Sequence, residues 1–578
     1  MGAFAALMAV FSVAATASTL ASYPRPGRTE RMSVGTNGTQ GNADASYPAI
    51  SGNGRYVAFS SWASNNLVPG DTNGRPDIFL RDRITGTTER VSVATNGAEA
   101  TGGSLSSAVS ADGRYVAFES SASNLVAGDN NGTWDIFVHD RNAEVTQRVS
   151  LMPDGTEANG GCSSPAISGD GRYVVFYGSV LEHGMVHSFE HDRDTGTTRQ
   201  ISLGLGGAEP NGASYFPSIS ADGRSIAFWS AASNLVANDA NALVDVFVHD
   251  LVMGTTERVS VASDGAETNE HSYANSISAD GRFVAFESWA SNLVPGDTNA
   301  GPDVFVHDRQ TGTTERVSVG TEGAEGNDYS FKPSISADGR FVAFYSVAST
   351  LVPGDVNTAA DVFVRDRELK TTERVSLGND VAEANSNSAS PALSADGRAV
   401  AFYSEGSNLV PDDTNGNWDV FTRATARPIG VSDLSVVPSG NGLSVSGAAT
   451  FSGALVASAS DPAGDIDSGS TAAGADLTEA GLIYRPEEGD LLMALRLASL
   501  PGAALNECVQ LPTFPPITVC VDPTTGAAVP IVLYGLGFEF NGVATRSGPC
   551  AWLLPPHLRR RRTLASTDAT WFAQRWPG

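Results

Sequence analysis

The sequence predicts an all-β chain, a seven-bladed β-propeller closed by its N-terminal strand and followed by a small β-sandwich-like domain. Three observations predict it. One unit recurs seven times, each copy holds four short strand-like segments, and the two ends of the array complement each other.

Long-period repetition is read before any local motif. The unit runs Ser-Ala-Asp-Gly-Arg-aromatic-Val-Ala-Phe, a Ser/Asn-rich loop, Asp-Val-Phe-Val-His-Asp-Arg, then Thr-Thr-Glu-Arg-Val-Ser-Val. Its Gly-Arg step falls at Arg55, Arg114, Arg172, Arg224, Arg282, Arg340 and Arg398, a period of 58 or 59 residues with one interval of 52. In the second copy, Ser107-Ala108-Val109-Ser110 leads into Asp112-Gly113, a strong hairpin signal, and Tyr115 to Phe118 follow as a second strand. Asp135 to His139 and Thr146 to Ser150, rich in β-branched residues, supply the third and fourth. Four strands per unit, repeated around a ring, make a propeller blade.

The array ends predict closure. Arg31-Met32-Ser33-Val34 is a fourth strand with no preceding three, and the last copy stops after Asp419-Val420-Phe421-Thr422 with no fourth strand of its own. Pairing the two shuts the ring and removes its exposed edge. The propeller is expected over residues 28–424.

The stretch Ser278 to Phe286, with Asp303-Val304-Phe305-Val306 and Thr311-Gly312-Thr313-Thr314 downstream, resembles the TolB-type, WD40-like propeller repeat. The resemblance spans roughly Arg28 to Ala424 and implies a periplasmic or extracellular propeller that binds a partner, or gates or assists a hydrolase. TolB itself is similar to a six-bladed ring with a separate N-terminal domain, so its particular partners are not carried over.

At 17% charged and 41% hydrophobic residues over 578 positions the chain is globular. A net charge of −28 repels phosphate backbones and anionic lipid, which argues against nucleic-acid and membrane-surface partners and favours cationic ones. Residues 1–21 contain an apolar run, Ala3 to Val13, before Ala15-Thr16-Ala17, and read as a signal peptide that lacks the usual basic n-region. No other stretch approaches a membrane span. Of four cysteines, Cys508 and Cys520 are the expected pair, and Cys162 and Cys550 are assigned no chemistry.

Loops that join strands two and three share a face with those that link successive blades. The first set carries Asp-x-Asn-x-x-x-Asp in six copies: Asp71/Asn73/Asp77, Asp129/Asn131/Asp135, Asp239/Asn241/Asp245, Asp297/Asn299/Asp303, Asp355/Asn357/Asp361 and Asp413/Asn415/Asp419. The third copy has Leu181 to Met185 instead. The linking loops contribute Glu99, Glu157, Glu209, Glu267, Glu325 and Glu383, with Gln40 in the first.

Two readings fit this face. Alternating Asp and Asn oxygens suit Ca²⁺, which takes six to eight oxygen ligands, and the eighteen Asp and Asn residues are then its ligands. The same residues suit Asx-turns that hold a long loop compact. An EF-hand is excluded, because the acid at position twelve, such as Asp82 or Asp308, stands at the far end of a strand roughly 17 Å away.

His139, His191, His249 and His307 share one repeat position with Arg81 and Arg365, which reads as a surface strand position tolerant of basic residues. The repeated Asp-Arg pair, as in Asp82-Arg83, reads as an inter-blade hydrogen-bonding device. No Gly-x-Ser-x-Gly elbow occurs. Beyond the repeat, residues 430–545 alternate as a β domain with an acidic cluster at Asp461, Asp465 and Asp467, and residues 546–578 form a basic tail around Arg559 to Arg562.

The expected function is a non-enzymatic, exported, monomeric binding or scaffold protein. It presents an acidic loop face, with or without Ca²⁺, to a protein, peptide or glycan. The alternative is a hydrolase or lyase acting in the central channel, for which the clue is the non-repeated first-strand residues Tyr47, Tyr215, Asn275 and Lys332.

Overall fold

In the computed structural model, strand pairing over residues 27–425 yields seven four-stranded antiparallel sheets. Residues 27–63, 66–180 and 185–425 are described, together with the backbone of strands between residues 435 and 534. The first blade pairs Ala45–Ile50, Tyr56–Ser61, Asp77–Asp82 and Thr87–Arg90 in that order, and five further blades repeat the meander. The seventh takes Ser388–Leu393, Ala399–Ser404 and Asp419–Ala424 from the end of the array and its outer strand, Thr29–Arg31, from the start. The closing register sets Thr29 opposite Arg423 and Arg31 opposite Phe421. All seven blades lie in one compact unit, Pro24–Thr425.

Alternation along the second and third strands explains where the core sits. Each blade sets a Phe of the second strand opposite a Phe of the third, as in Phe59 with Phe79, and these pairs stack at 5.7–6.0 Å. The intervening residues point to the other face, so every sheet buries both sides. Ala58, Ile78 and Leu80 of the first blade pack with Val116, Phe118 and Phe137 of the second. Ala401 and Val420 of the seventh pack with Phe59 and Phe79 of the first, so the closing seam has the same kind of core as the others.

The Asp-Gly hairpin has a second use. Gly113 turns with φ +78°, and a Cβ there would stand 2.0 Å from Tyr56 Cδ2 of the preceding blade. The glycine therefore gives the chain a left-handed turn and lets the neighbouring ring lie on it. Asp112 Oδ1 accepts the Arg114 N–H at 2.9 Å, closing the turn locally.

The second unit contains two hairpins, Ser435–Ser439 with Gly442–Ser446 and Cys508–Leu511 with Ile517–Cys520, and a four-stranded antiparallel sheet that includes Leu477–Arg485 and Asp490–Leu497. Its register sets Cys508 opposite Cys520, while their side chains lie outside the described residues. The expected signal peptide, the Asp461 cluster, Cys550 and the basic tail also lie outside them.

Candidate functional site

The Asp-x-Asn-x-x-x-Asp loops and the linking loops meet as expected, and at each meeting point stands an arginine from the blade's own outer strand. Arg90 Nη1 lies 3.7 Å from Asp71, 3.6 Å from Asp77 and 2.7 Å from Glu99. Arg258 repeats this with Asp239 at 3.1 Å, Asp245 at 3.4 Å and Glu267 at 2.7 Å. Arg316 does so with Asp297, Asp303 and Glu325 at 3.5, 3.1 and 2.6 Å, and Arg374 with Asp355, Asp361 and Glu383 at 3.2, 3.3 and 2.7 Å. Arg148 stands among Asp129, Asp135 and Glu157. At the closing seam Arg31 meets Asp413 at 3.3 Å and Asp419 at 3.2 Å, with Gln40 in the glutamate's place.

The asparagines tie the two loops together. Asn73 Oδ1 accepts the N–H of Arg75, two residues on, and its amide donates to Asp77 Oδ2 at 2.9 Å and to the Ala100 carbonyl of the linking loop at 2.9 Å. Asn131, Asn241, Asn299, Asn357 and Asn415 make the same turn. The Asx-turn is thus formed at all six positions, and each amide oxygen is used by the backbone.

The third blade departs at the same three places. His187 replaces the strand-initial Asp, Gln200 replaces the Arg, and the two side chains meet at 3.2 Å. An imidazole and an amide stand where the other blades hold a carboxylate and a guanidinium, and Glu209 of the linking loop is exposed.

Three of these groups, Asp71/Asp77/Glu99, Asp297/Asp303/Glu325 and Asp355/Asp361/Glu383, bring their ligand atoms within 4.8 Å of one another and could hold a metal ion. As arranged, each offers three carboxylates around a guanidinium, short of the six to eight oxygens calcium takes. Burial, then the neighbouring Asp77, pushes Asp71 up to about 6, and both its oxygens are enclosed without a hydrogen-bond donor. Asp297 and Asp355 rise to about 6 for the same reasons.

Nearer the axis a second set of residues converges. First strands touch first strands all round the ring, so they line the centre. Each carries a β-bulge whose residue is left-handed without being glycine: Tyr47, Ser106, Ser164, Phe216, Ala274, Lys332 and Ser390, with φ from 28° to 53°. Five of them precede proline. Backbone strain of this kind, about 1–3 kcal/mol per residue, gathers at functional sites. Two second strands hold a glutamate against these bulges: Glu119 accepts the Ser164 N–H and Glu287 the Lys332 N–H, each at 2.9 Å. Burial raises the pKa of both carboxyls.

Aromatic rings surround this mouth. Tyr177, Tyr215, Trp229 and Tyr273 form one contact chain, and Trp289, Tyr329, Phe331 and Tyr345 another, with neighbouring centroids 4.6–6.1 Å apart. Gly301 gives Tyr329 its place, since a Cβ there would meet the ring at 2.2 Å. The exposed aromatics among the described residues are Tyr47, Trp62, Phe216, Trp289 and Tyr329, and all five belong to this end of the first and second strands. Sequence reasoning named Tyr47, Tyr215 and Lys332 but missed the two tryptophans. Their signal was departure from the repeat, where other blades have Ser121 or Ala231.

Two sequence expectations are corrected. The histidine position is not on the surface: His139, His191 and His307 are buried, and each ring contacts a Thr hydroxyl of the adjacent strand at 2.8–3.0 Å. Arg365 at this position reaches through the seam to the Gly320 carbonyl, so tolerance of basic residues reflects a polar slot between blades. In the Asp-Arg pair, only the arginine crosses blades. Arg141 bonds Glu89 and covers Tyr56 at 4.4 Å, whereas Asp82 and Asp140 take bidentate bonds from Arg55 and Arg114 of their own blades. Cys162 is free and buried, its thiol pushed up by burial.

No protein-family model and no curated protein matches the chain. Solved structures do. A TolB protein from Agrobacterium tumefaciens is 15% identical, covering 59% of this chain and 95% of its own, with a TM-score of 0.33. An oligogalacturonate lyase in complex with manganese is 12% identical over 70% of this chain and 98% of its own, TM-score 0.43. The acylaminoacyl peptidase of Pyrococcus horikoshii is 12% identical over 63% of this chain and 49% of its own, TM-score 0.38. Likeness at these identities concerns the fold alone. The expectation of a non-enzymatic chain therefore has no support in the fold, since propellers similar to this one include a lyase and a peptidase. Among the described residues no helix is long and apolar enough to cross a membrane. By its strand pairing the protein is a seven-bladed β-propeller, similar in structure to the TolB propeller.

Proposed function

We propose that the protein is an exported propeller that binds a protein or peptide partner at the mouth of its channel, on the loop face. The position of all five exposed aromatics of the described residues at that end of the strands, with Trp289 and Tyr329 in contact, supports this reading, since exposed apolar surface marks an interaction site. Aromatic residues are also the commonest anchors of such sites. The carboxylate–arginine groups hold the surrounding loops in position. Calcium binding at these groups is a finer reading, supported by the 4.8 Å clusters and requiring the resident arginine to move aside. Export rests on the apolar run before Ala15-Thr16-Ala17.

One observation favours catalysis as a second reading. Glu119 and Glu287 are carboxylates with raised pKa held against the bulges of the first strands, the kind of group that serves as a general acid. A hydrolase or lyase would use them.

Photo-crosslinking separates the mouth from the rest of the surface. With benzoylphenylalanine at position 289, irradiation in the native extract yields a defined adduct. The same residue at position 252, in an exposed turn at the other end of the fourth blade, yields none. Equal labelling at both positions, or none at either, would sink the reading.

A further inference from the structure

We infer that the mouth takes a cationic side chain, a guanidinium or ammonium on an extended peptide, against the Trp289 and Tyr329 rings, with Glu287 as its counter-charge. This rests on the binding reading above and names the chemistry of its ligand.

The fold itself shows how it treats aromatic rings. At the hairpin end of the blades, guanidinium groups from the following blade cover the rings. Arg141 lies 4.4 Å from the Tyr56 centroid, Arg193 4.3 Å from Tyr115 and Arg367 4.6 Å from Phe283. At the mouth end the rings have no such cover among the described residues. Trp289 is 42% exposed and Tyr329 40%, and their centroids are 5.6 Å apart with the planes at 55°. Exposed ring faces carry the negative side of the quadrupole and attract a cation placed over them, most strongly for Trp.

The charges around the rings have the matching sign. Glu287 is the penultimate residue of the second strand, and Trp289 is the first residue beyond it. Glu287 is held by the Lys332 N–H, and its charge is felt by Tyr273 and Tyr345 on either side. Glu270 and Asp328 occupy the linking loops directly before the His271 and Tyr329 positions. Against these acids, the seven first and seven second strands carry one basic side chain, Lys332, whose ammonium lies 3.4 Å from Ser390 Oγ and offsets part of the Glu287 charge. The whole-chain charge of −28 favours a cationic ligand over an anionic one. A neutral sugar ring could also lie on Trp289, but it would leave the carboxylates unused.

The test uses a blocked Gly-Arg-Gly-Arg-Gly peptide and its twin with citrulline in place of arginine, which keeps the shape and removes the charge. Binding to the full chain is followed by calorimetry at low salt, with cellohexaose as the sugar probe. The arginine peptide is expected to bind at least about tenfold more tightly than the citrulline twin. Trp289→Ala and Glu287→Gln should each weaken it by about three- to tenfold, with circular dichroism unchanged. Equal binding of the twins overturns the inference, as does an unaffected Trp289→Ala variant. Cellohexaose binding without arginine-peptide binding also overturns it, while leaving the mouth as the binding surface. If position 289 gives no crosslink and neither probe binds, both readings fall.

Discussion

Arg316, on the outer strand of the fifth blade, places its guanidinium 2.6 Å from Glu325 in the loop that leads to the next blade. The same nitrogen lies 3.1 Å from Asp303 and 3.5 Å from Asp297. One cation from the rim of a blade therefore draws together three carboxylates from two loops.

Replacing this cation by an apolar residue leaves three carboxylates facing one another. Arg316→Met is expected to lower the unfolding free energy by about 3 kcal/mol, measured by urea denaturation. The vacated cluster, with ligand atoms within 4.8 Å, should then accept calcium. Millimolar CaCl2 is expected to raise the melting temperature of the variant by more than that of the unaltered protein. An identical response of the two would show that the arginine does not guard the site.

Stability should fall as pH rises through about 6. Asp71, Asp297 and Asp355 have folded-state pKa values near 6 against a usual 3.8, so the native state binds their protons more tightly. Their stabilising contribution is complete below the usual value and is lost as pH passes about 6. Asp192 and Asp82 behave oppositely. Arg172 holds Asp192 down to about 2, and Arg55 does the same for Asp82 against its burial, so their contribution is lost as pH falls toward 2. Maximum stability should lie between these limits. Urea midpoints at pH 5 and pH 7 should fall less for Asp71→Asn than for the unaltered protein, and an equal fall would contradict the assignment.

Cutting away the chain through Arg31 should open the ring. The Asp419–Ala424 strand would lose its partner Thr29–Arg31 and present a free edge. Size-exclusion chromatography is expected to show oligomers or aggregates, and a monomer that melts at the original temperature would argue against closure by this strand.

The Asp-Gly turn should tolerate no side chain. Gly113→Ala combines a left-handed φ with a Cβ 2.0 Å from Tyr56, and is expected to cost about 2 kcal/mol or more. Because the clash is with one ring, Tyr56→Ala should absorb part of it. A double-mutant cycle is expected to give a coupling of at least about 1 kcal/mol, and additivity would place the cost in the backbone alone.

Much of the ring could be read in the chain because the information is local or repeated. Asp112-Gly113 makes a hairpin by its own backbone preferences, and the apolar pattern from Tyr115 to Phe118 makes a strand wherever it lies. The unmatched strand near Arg31 announced closure because a sheet edge needs a partner. The Asp and Asn positions were legible as a group, and so was the meeting of the two loops.

Tertiary structure decided what those positions do. Arg90 and Asp71 are nineteen residues apart, and nothing in their spacing says that an outer strand will aim its guanidinium between the loops. The histidine position looked like surface because Arg and His alternate there, yet packing of blade on blade encloses it and leaves a Thr hydroxyl as its partner. Trp289 and Tyr329 likewise became one surface only when adjacent blades came together around the axis. Sequence by itself determined the blades, their number and the closing strand, since strand periodicity and turn chemistry act over a few residues. The occupant of each carboxylate group and the exposed aromatic mouth were decided by packing, which joins residues from separate repeats that no local pattern connects.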